Sequence, residues 1–312
     1  MLLIREAETK IALERKLGTI GGPVHLSAGQ EAIPVGIAVH LAKSDFVFGA
    51  HRSHAHILSL GTSLHKFFAE ILGKSSGLSK GFGGSMHLFD SSVGFMGSVP
   101  IVAGTISMAA GAGFAIKQKK SNSVAIAYLG DGAVEEGVFH ETLNLASIND
   151  LPVIFVIENN LFSSHMDISQ RQPNTFTSRF AKANSIEHRL IDGNNIIDVI
   201  KASGNLIENA RKNKKPGLIE AITYRWYGHV DWREDIDVGT NRCKKSLESW
   251  KQRCPIKRLK KSIIKENFFT APKLSEIESE VTDMINTCWN SSINDPFPDE
   301  NSLLDNVFFG NK

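Results

Sequence analysis

Two short polar motifs in the middle of the chain carry side chains that suit a divalent cation. Gly130-Asp131-Gly132 follows the apolar run 124–129, and Asn159-Asn160 follows the apolar run 151–157. Carboxylate and amide oxygens suit Mg²⁺, which takes few protein ligands and keeps phosphate oxygens in its other positions. The glycines beside Asp131 let a diphosphate approach the backbone, and the following helix offers its N-terminus to the anion. The pattern favours a site for Mg²⁺ and a phosphorylated ligand.

Two other phosphate-binding patterns do not fit the chain. A GxGxxG fingerprint starting at Gly130 would need glycine at position 135, which is Glu135, and the GxxxxGK[ST] loop is absent. A lone GDG is often just a turn. The functional interpretation therefore depends on the second motif, which follows after the 26 residues 133–158.

The elements that must position these motifs alternate between strand and helix patterns. Continuous apolar runs predict buried strands, and the segments between them have helical spacing or small residues. This alternation predicts an α/β fold with a parallel sheet and helices on both faces. Right-handed crossovers then bring both motifs to the carboxyl edge of the sheet, where ligands bind. The strands are predicted at 45–50, 124–130, 151–159 and within 216–226, and the helices at 1–17, from about 29, and at 63–73, 101–120, 135–150 and 195–213.

Two further segments point to function or to assembly. Residues 77–100 predict a long irregular loop, and loops of that length in a compact domain are usually functional. The helix predicted within 101–120 is rich in alanine and glycine, which allow another element to approach closely. That element is either part of the same chain or part of a second module.

Composition sets the domain organisation and excludes several classes of protein. We expect an α/β domain at 1–243 and a helical C-terminal extension at 244–312. The basic run 244–265 of this extension is typical of a solvated face, and docking to an acidic partner is the alternative. The net charge of +2 argues against nucleic acid as the main partner. No apolar run approaches the ~18 residues of a membrane span. Cys243, Cys254 and Cys288 are widely spaced, which argues against a zinc site and favours a reducing compartment, by default the cytoplasm.

The GDG and NN motifs at this spacing resemble the thiamine diphosphate signature, and other segments extend the resemblance over nearly the whole chain. HLSAGQEA, HRSHAHILSLG, KGFGGSMHLFD, EGVFHETLNLA and YRWYGHV are similar to the α subunit of the thiamine diphosphate-dependent first component of 2-oxo acid and acetoin dehydrogenase complexes. The HRSH and YGH versions look closer to the acetoin branch than to the pyruvate branch. The resemblance implies the phosphate-binding module of the thiamine diphosphate-binding fold, with thiamine diphosphate and Mg²⁺ as cofactors.

The resemblance also implies roles for individual residues. Asp131 and Asn160 would ligate Mg²⁺ through their side chains, and Phe162 through its main-chain carbonyl. The catalytic residues would be His25, His54 and His229. His25 matches a histidine near the substrate, His54 matches the second histidine of HRSH, and His229 matches a loop histidine implicated in acyl handling. The cofactor-binding residues would be His51, Arg52, Pro100, Val102, Asp131, Gly132, Ala133, Asn160 and Phe162. A serine that is phosphorylated in some members is replaced by Val230, so such regulation is not expected.

The chain is expected to work with partners. A separate β subunit would supply the glutamate that activates the cofactor, within an α2β2 assembly. The acyl fragment from a 2-oxo acid or acetoin would pass to a lipoyl group on an acyltransferase component. Two alternatives remain open at this point. One is a carboligase that transfers a two-carbon fragment to an aldehyde or sugar, and the other is a subunit that only scaffolds.

Overall fold

The computed structural model describes residues 1–236, 242–302 and 304. The strands are β1 (Phe46–Gly49), β2 (Phe95–Ser98), β3 (Ala125–Gly130), β4 (Val153–Asn159), β5 (Phe162–Ser163), β6 (Met166–Asp167), β7 (Glu187–Asp192) and β8 (Gly217–Ile222). The helices are α1 (Leu2–Leu17), α2 (Ala32–Ala38), α3 (His54–Ser59), α4 (Leu64–Ile71), α5 (Ile106–Gln118), α6 (Gly137–Ile148), α7 (Arg179–Ala183), α8 (Ile196–Asn213), α9 (Lys244–Gln252), α10 (Pro255–Lys265) and α11 (Ala271–Ile293).

Six of the strands form one parallel sheet in the order β2-β1-β3-β4-β8-β7, and β5 and β6 form a short antiparallel hairpin. The predicted α/β fold with a parallel sheet is confirmed. Because the pairs are parallel, the carboxyl ends of β1, β3, β4 and β8 lie along one edge of the sheet. All four segments that follow these strands carry candidate site residues.

Alternate side chains of the central strands enter two separate cores. Ile126 and Tyr128 of β3 pack on one face with residues from α1, α4 and α8. Ala127 and Leu129 pack on the other face with residues from α5 and α6. Covering both faces explains why β3 and β4 read as continuous apolar runs in the sequence.

The small residues of α5 serve contact within the chain. A Cβ atom added at Gly113 would lie 2.4 Å from Cγ2 of Val153 in β4, so α5 packs directly against the sheet. The opposite side of the helix is different. A Cβ atom at Gly111 would meet nothing within 4 Å, and the side chains of Met108 and Phe114 are exposed.

The segment 77–100 is ordered around one buried carboxylate. Glu70 of α4 accepts hydrogen bonds from four backbone N–H groups, at 2.6–3.0 Å, from Ser79, Gly81, Gly83 and Gly84. The end of the segment forms β2, at the edge of the sheet. The loop is therefore long but is fixed to the domain.

The C-terminal helices pack on the α/β unit. Trp289 of α11 makes an edge contact with Phe68 of α4, with ring centroids 5.3 Å apart, and Trp250 of α9 stacks on Tyr224. The domain boundary at 243/244 stays a prediction, and residues 237–241, 303 and 305–312 of the two predicted domains lie outside the described residues. No helix in the described ranges is long and apolar enough to cross a membrane.

Candidate functional site

A cavity of about 180 Å³ opens at the carboxyl edge of the sheet. It lies where β1, β3 and β4 end, so each of these strands delivers side chains to it. The segment after β8 adds His229. Of the residues predicted from the sequence, those that line it are His51, Arg52, Val102, Asp131, Gly132, Ala133, Asn160, Phe162 and His229.

Asp131 follows β3 and is 1% exposed. The guanidinium of Arg171 contacts its carboxylate and also that of Glu135. Burial raises the pKa of Asp131 above its ordinary value, and the positive charge of Arg171 partly offsets that effect. Sequence reasoning missed Arg171, which lies 40 residues from Asp131 outside any motif.

The two asparagines after β4 have different partners. Asn159 lies inside the fold, where its side-chain amide donates to Glu220 at 2.8 Å. Asn160 lines the cavity, and its amide donates to Gln30 Oε1 at 3.1 Å. The amide oxygen of Asn160 accepts from the backbone N–H of Phe162 at 3.4 Å, which is long for a hydrogen bond. Because this bond is weak, the oxygen remains available to ligate a cation.

The GDG turn fits tightly against the hairpin of β5 and β6. A Cβ atom at Gly132 would lie 2.3 Å from Oγ of Ser163, so any larger residue would push the hairpin away. Gly132 and Ser163 both line the cavity. The glycine therefore lets the backbone of the turn and the hairpin meet beside the space that a ligand would enter.

Two buried arginines place positive charge at the cavity (Arg52) and beside it (Arg225). Arg52 donates to the backbone oxygens of Leu26 and His229, at 2.8 and 3.1 Å. Burial lowers the pKa of Arg52 to about 10. Arg225 is 1% exposed and donates to Ser164 O, while its Nε and Nη1 atoms have no partner among the described residues.

The unpaired donors of Arg225 bear on what the site can hold. Buried N–H groups without acceptors are rare, and a charged group is costly to bury unpaired. Burial, followed by Arg52 and Arg242, lowers the pKa of Arg225 well below its ordinary value. A diphosphate beside Arg225 would supply acceptors for these two donors. Arg225 lies in the YRWYGHV segment, of which sequence reasoning used only His229.

Three of the predicted histidines lie in one cluster. The ring centroids of His25, His51 and His229 are 4.8, 5.2 and 5.4 Å apart, taken in pairs. Burial, and next the charge of Arg52, lowers the pKa of His25 to about 3, of His51 to about 2 and of His229 to about 3. The rings are therefore neutral at physiological pH, and His51 and His229 face the cavity.

His54 lies apart from this cluster. It is fully buried, with Nδ1 3.2 Å from a carboxylate oxygen of Glu8 and Nε2 2.7 Å from Oγ of Ser85. It does not line the cavity, and its two ring nitrogens link α1 to the loop 77–100. A catalytic role for His54 stays a prediction, as do the cofactor contacts of Pro100, which is also absent from the cavity wall.

The floor of the cavity contains a stacked pair that sequence reasoning did not identify. The rings of His56 and Tyr128 stack with centroids 3.8 Å apart, and Nε2 of His56 is 3.2 Å from the carboxylate of Glu158. Burial raises the pKa of Tyr128 well above its ordinary value. Tyr128 and Glu158 belong to β3 and β4, whose apolar runs signalled only a core position.

Comparison with known proteins gives matches over nearly the full chain. The family model described as "Dehydrogenase E1 component" matches residues 1–300. The α subunit of acetoin:2,6-dichlorophenolindophenol oxidoreductase from Bacillus subtilis (strain 168) is 37% identical over 309 residues, which cover 99% of this chain and 91% of the relative. The pyruvate dehydrogenase E1 component subunit alpha from Rhizobium meliloti (strain 1021) is 33% identical over 308 residues, with 98% and 87% coverage. That from Rickettsia felis is 34% identical over 310 residues, with 99% and 93% coverage.

Proposed function

The chain belongs to the dehydrogenase E1 component family, and we propose that it is the α subunit of a thiamine diphosphate- and Mg²⁺-dependent enzyme that cleaves a 2-oxo acid or acetoin. The main support is the cavity at the carboxyl edge of the sheet, where Asp131 and Asn160 lie with Arg52. The relatives reported above are named as subunits of an oxidoreductase or of pyruvate dehydrogenase, which does not favour a carboligase or a scaffolding subunit.

The residues present fit the proposed cofactor. Asp131 and Asn160 offer side-chain oxygens for Mg²⁺, and the carbonyl of Phe162 is the third ligand in the proposal. The N–H groups of Arg52 and Arg225 would bind the diphosphate oxygens. Thiamine diphosphate supplies an electron sink when a carbon–carbon bond beside a carbonyl breaks.

The histidine cluster provides groups for binding substrate and moving protons. His25, His51 and His229 are neutral, so a ring nitrogen can accept a proton or a hydrogen bond. The negative charge of a bound diphosphate would offset Arg52 and raise the pKa values of these rings toward neutrality. General acid–base catalysis is most effective with a pKa near the working pH.

The proposal includes two partner proteins. A β subunit would cover the open side of the cavity and supply the activating glutamate, in an α2β2 assembly. The acyl fragment would pass to a lipoyl group on an acyltransferase component. We place the enzyme in the cytoplasm, since the three cysteines are free and two of them are not fully buried.

The test measures turnover and cofactor binding separately. The chain is mixed with its β-like partner, and reduction of 2,6-dichlorophenolindophenol is followed with pyruvate or with acetoin. Calorimetry then measures binding of thiamine diphosphate in Mg²⁺. We expect Asp131→Ala to abolish Mg²⁺-dependent binding and Asn160→Ala to weaken it, with Glu141→Ala at an exposed position of α6 as the acidic control. Unchanged affinity in Asp131→Ala would refute the site assignment.

A lipoyl acceptor is tested in the same system. Addition of a lipoylated domain should increase turnover if the acyl group is transferred to it. An increase with added aldehydes, and none with the lipoylated domain, would favour the carboligase instead.

A further inference from the structure

The cluster of His25, His51 and His229 has a geometry that its proposed catalytic role does not require. The three residues come from three separate segments, before α2, after β1 and after β8. One nitrogen from each ring lies within 4.8 Å of the others. The pairwise centroid distances differ by only 0.6 Å, from 4.8 to 5.4 Å, so the rings form a nearly equilateral triangle.

This triangle has the size of a three-histidine metal site. Zinc binds imidazole nitrogen at about 2.0–2.1 Å with tetrahedral geometry, which puts ligand nitrogens about 3.4 Å apart and ring centroids about 5 Å apart. The observed centroids already meet that condition. Rotation of the rings in place would bring the nitrogens from within 4.8 Å to the ligating distance.

The ring nitrogens are also free to bind. None of the six makes a hydrogen bond within the described part of the chain, and Nδ1 of His25 is buried without a partner. Metal-ligating histidines must be neutral, and burial together with Arg52 keeps all three rings unprotonated at physiological pH. The nearest alternative use of these nitrogens, an ion pair with a carboxylate, is absent among the described residues.

We propose that His25, His51 and His229 form a second metal site, which binds one late first-row dication such as Zn²⁺ or Co²⁺ through three imidazole nitrogens. The site is distinct from the oxygen site of Asp131 and Asn160. The proposal does not depend on the proposed function, because every ligand belongs to this chain.

The charges around the cluster decide which cations it accepts. Arg52 and Arg225 lie close enough to lower the pKa values of the rings, and they repel a bound cation as well. Only ions that form strong bonds to imidazole overcome this repulsion, and affinity for nitrogen ligands rises toward Cu²⁺ and Zn²⁺. Mg²⁺ prefers oxygen and does not compete.

A metal bound by the three histidines would affect catalysis, and this consequence does depend on the proposed function. His51 and His229 line the cavity, so a metal held by them occupies its mouth and removes their lone pairs from proton transfer. We expect inhibition by micromolar Zn²⁺ that a chelator reverses.

Cobalt provides a readout that is independent of turnover. The full-length chain is stripped with chelator and returned to excess Mg²⁺, and Co²⁺ is then titrated. Four-coordinate Co²⁺ with nitrogen ligands absorbs strongly in the visible range, whereas six-coordinate Co²⁺ in an oxygen site absorbs weakly. We expect the strong band to saturate at one Co²⁺ per chain and to disappear when Zn²⁺ is added.

Ring replacements identify the ligands. His51→Phe and His229→Phe keep the bulk of each ring and remove its nitrogens, and His87→Phe on the exposed loop is the matched control. Loss of a ligand should weaken Co²⁺ binding by more than the ~10-fold that loss of a supporting partner costs. His87→Phe should bind as the wild type does.

Two spectroscopic results would overturn the proposal: the absence of the strong band in the wild type, and its retention in both His51→Phe and His229→Phe. If the variants fail to fold, a wild-type crystal soaked in Zn²⁺ provides the test. Anomalous scattering should then give a peak among the three rings, and a peak only at Asp131 would contradict the assignment.

Discussion

At the scale of single residues, Arg171 supplies the positive charge beside Asp131 that a bound metal ion would otherwise supply. It contacts the buried carboxylate of Asp131 and holds Glu135 with another nitrogen. A cation that takes Asp131 must displace this contact, and Arg171 can then stay on Glu135. The guanidinium therefore offsets part of the effect of burial on the carboxylate of Asp131 and also competes with Mg²⁺ for it.

We expect Arg171→Met to separate these two effects. Loss of the buried ion pair should reduce the unfolding free energy of the cofactor-free chain by about 3 kcal/mol. Mg²⁺-dependent binding of thiamine diphosphate should become several-fold tighter, because the competitor is gone. Urea unfolding and calorimetry measure the two quantities. Arg179→Met is the control, since Arg179 bonds to Asn174 and Phe176 in the same loop and does not touch Asp131. Weaker binding in Arg171→Met would mean that Arg171 orients the carboxylate.

The three histidines make stability depend on pH in a defined direction. Their folded pKa values, about 3, 2 and 3, lie below the ordinary value of 6.5. Between these values the unfolded chain binds protons at these rings and the folded chain does not. The contribution of the neutral rings to the unfolding free energy is therefore fully present above pH 6.5 and is lost as the pH falls toward 3. Each ring contributes at most about 1.4 kcal/mol per pH unit in this window.

His51→Phe tests this dependence. Urea unfolding at pH 7.5, 6.5 and 5.5 gives the slope of the unfolding free energy against pH for each protein. The variant lacks one of the three groups, so its slope below pH 6.5 should be smaller than that of the wild type. Equal slopes would show that the ring of His51 is not held neutral by the fold.

At the scale of elements, the sequence predicts those parts of the fold whose pattern reflects burial on both faces. β3 is apolar up to Leu129 and β4 up to Ile157, and the positions and parallel arrangement of the two strands follow from that pattern. β7 was not predicted because it lies at the edge of the sheet, where its residues Glu187–Asp192 are only partly covered. β2 was hidden in the loop 77–100 because two of its four residues are glycine or serine.

Some residues of the candidate site could likewise be predicted from the sequence, and others could not. Asp131 and Asn160 follow from motifs at strand ends, where topology brings them together, and His51 follows from the family resemblance of the HRSH segment. Arg171 reaches the site through folding of a loop whose local sequence carries no period. Gln30 lies just before α2, in a segment that the sequence assigned to the helix itself. His54 shows the converse, since its motif resembles a site whereas its contacts with Glu8 and Ser85 lie inside the fold. A motif indicates which strand end matters, and it does not indicate which side chains turn toward the cavity.

The two glycines of α5 give a matched pair of substitutions. Gly113→Ala should reduce the unfolding free energy by about 1–3 kcal/mol, since the added methyl group would collide with Val153 in a packed core. Gly111→Ala points into open space and removes backbone entropy from the unfolded chain, so we expect a gain of up to about 1 kcal/mol. Thermal and urea unfolding of the isolated chain measure both. A loss of stability in Gly111→Ala as large as that in Gly113→Ala would contradict the packing described here.

At the scale of the whole molecule, the site is open where a second protein could complete it. The cavity of about 180 Å³ is smaller than the ~300–1,000 Å³ typical of a pocket that encloses its ligand. Ile101 and Val102, in the segment that reaches the cavity wall, are 69% and 48% exposed. These exposed apolar side chains offer a surface beside the cavity that a second protein could cover.

We therefore expect the chain to be inactive alone. It has one parallel sheet with the GDG and NN ends, and the described residues contain no second sheet of similar size to supply the activating glutamate. The measurement is decarboxylation of pyruvate and cleavage of acetoin by the purified chain, by its β-like partner and by their mixture. Sedimentation of the same samples reports assembly, and calorimetry reports cofactor affinity. Only the mixture should turn over and bind the cofactor tightly. Ile101→Asp should reduce assembly and leave the fold of the isolated chain unchanged, since the side chain is exposed there. Full activity of the chain by itself would show that the site is complete within 312 residues.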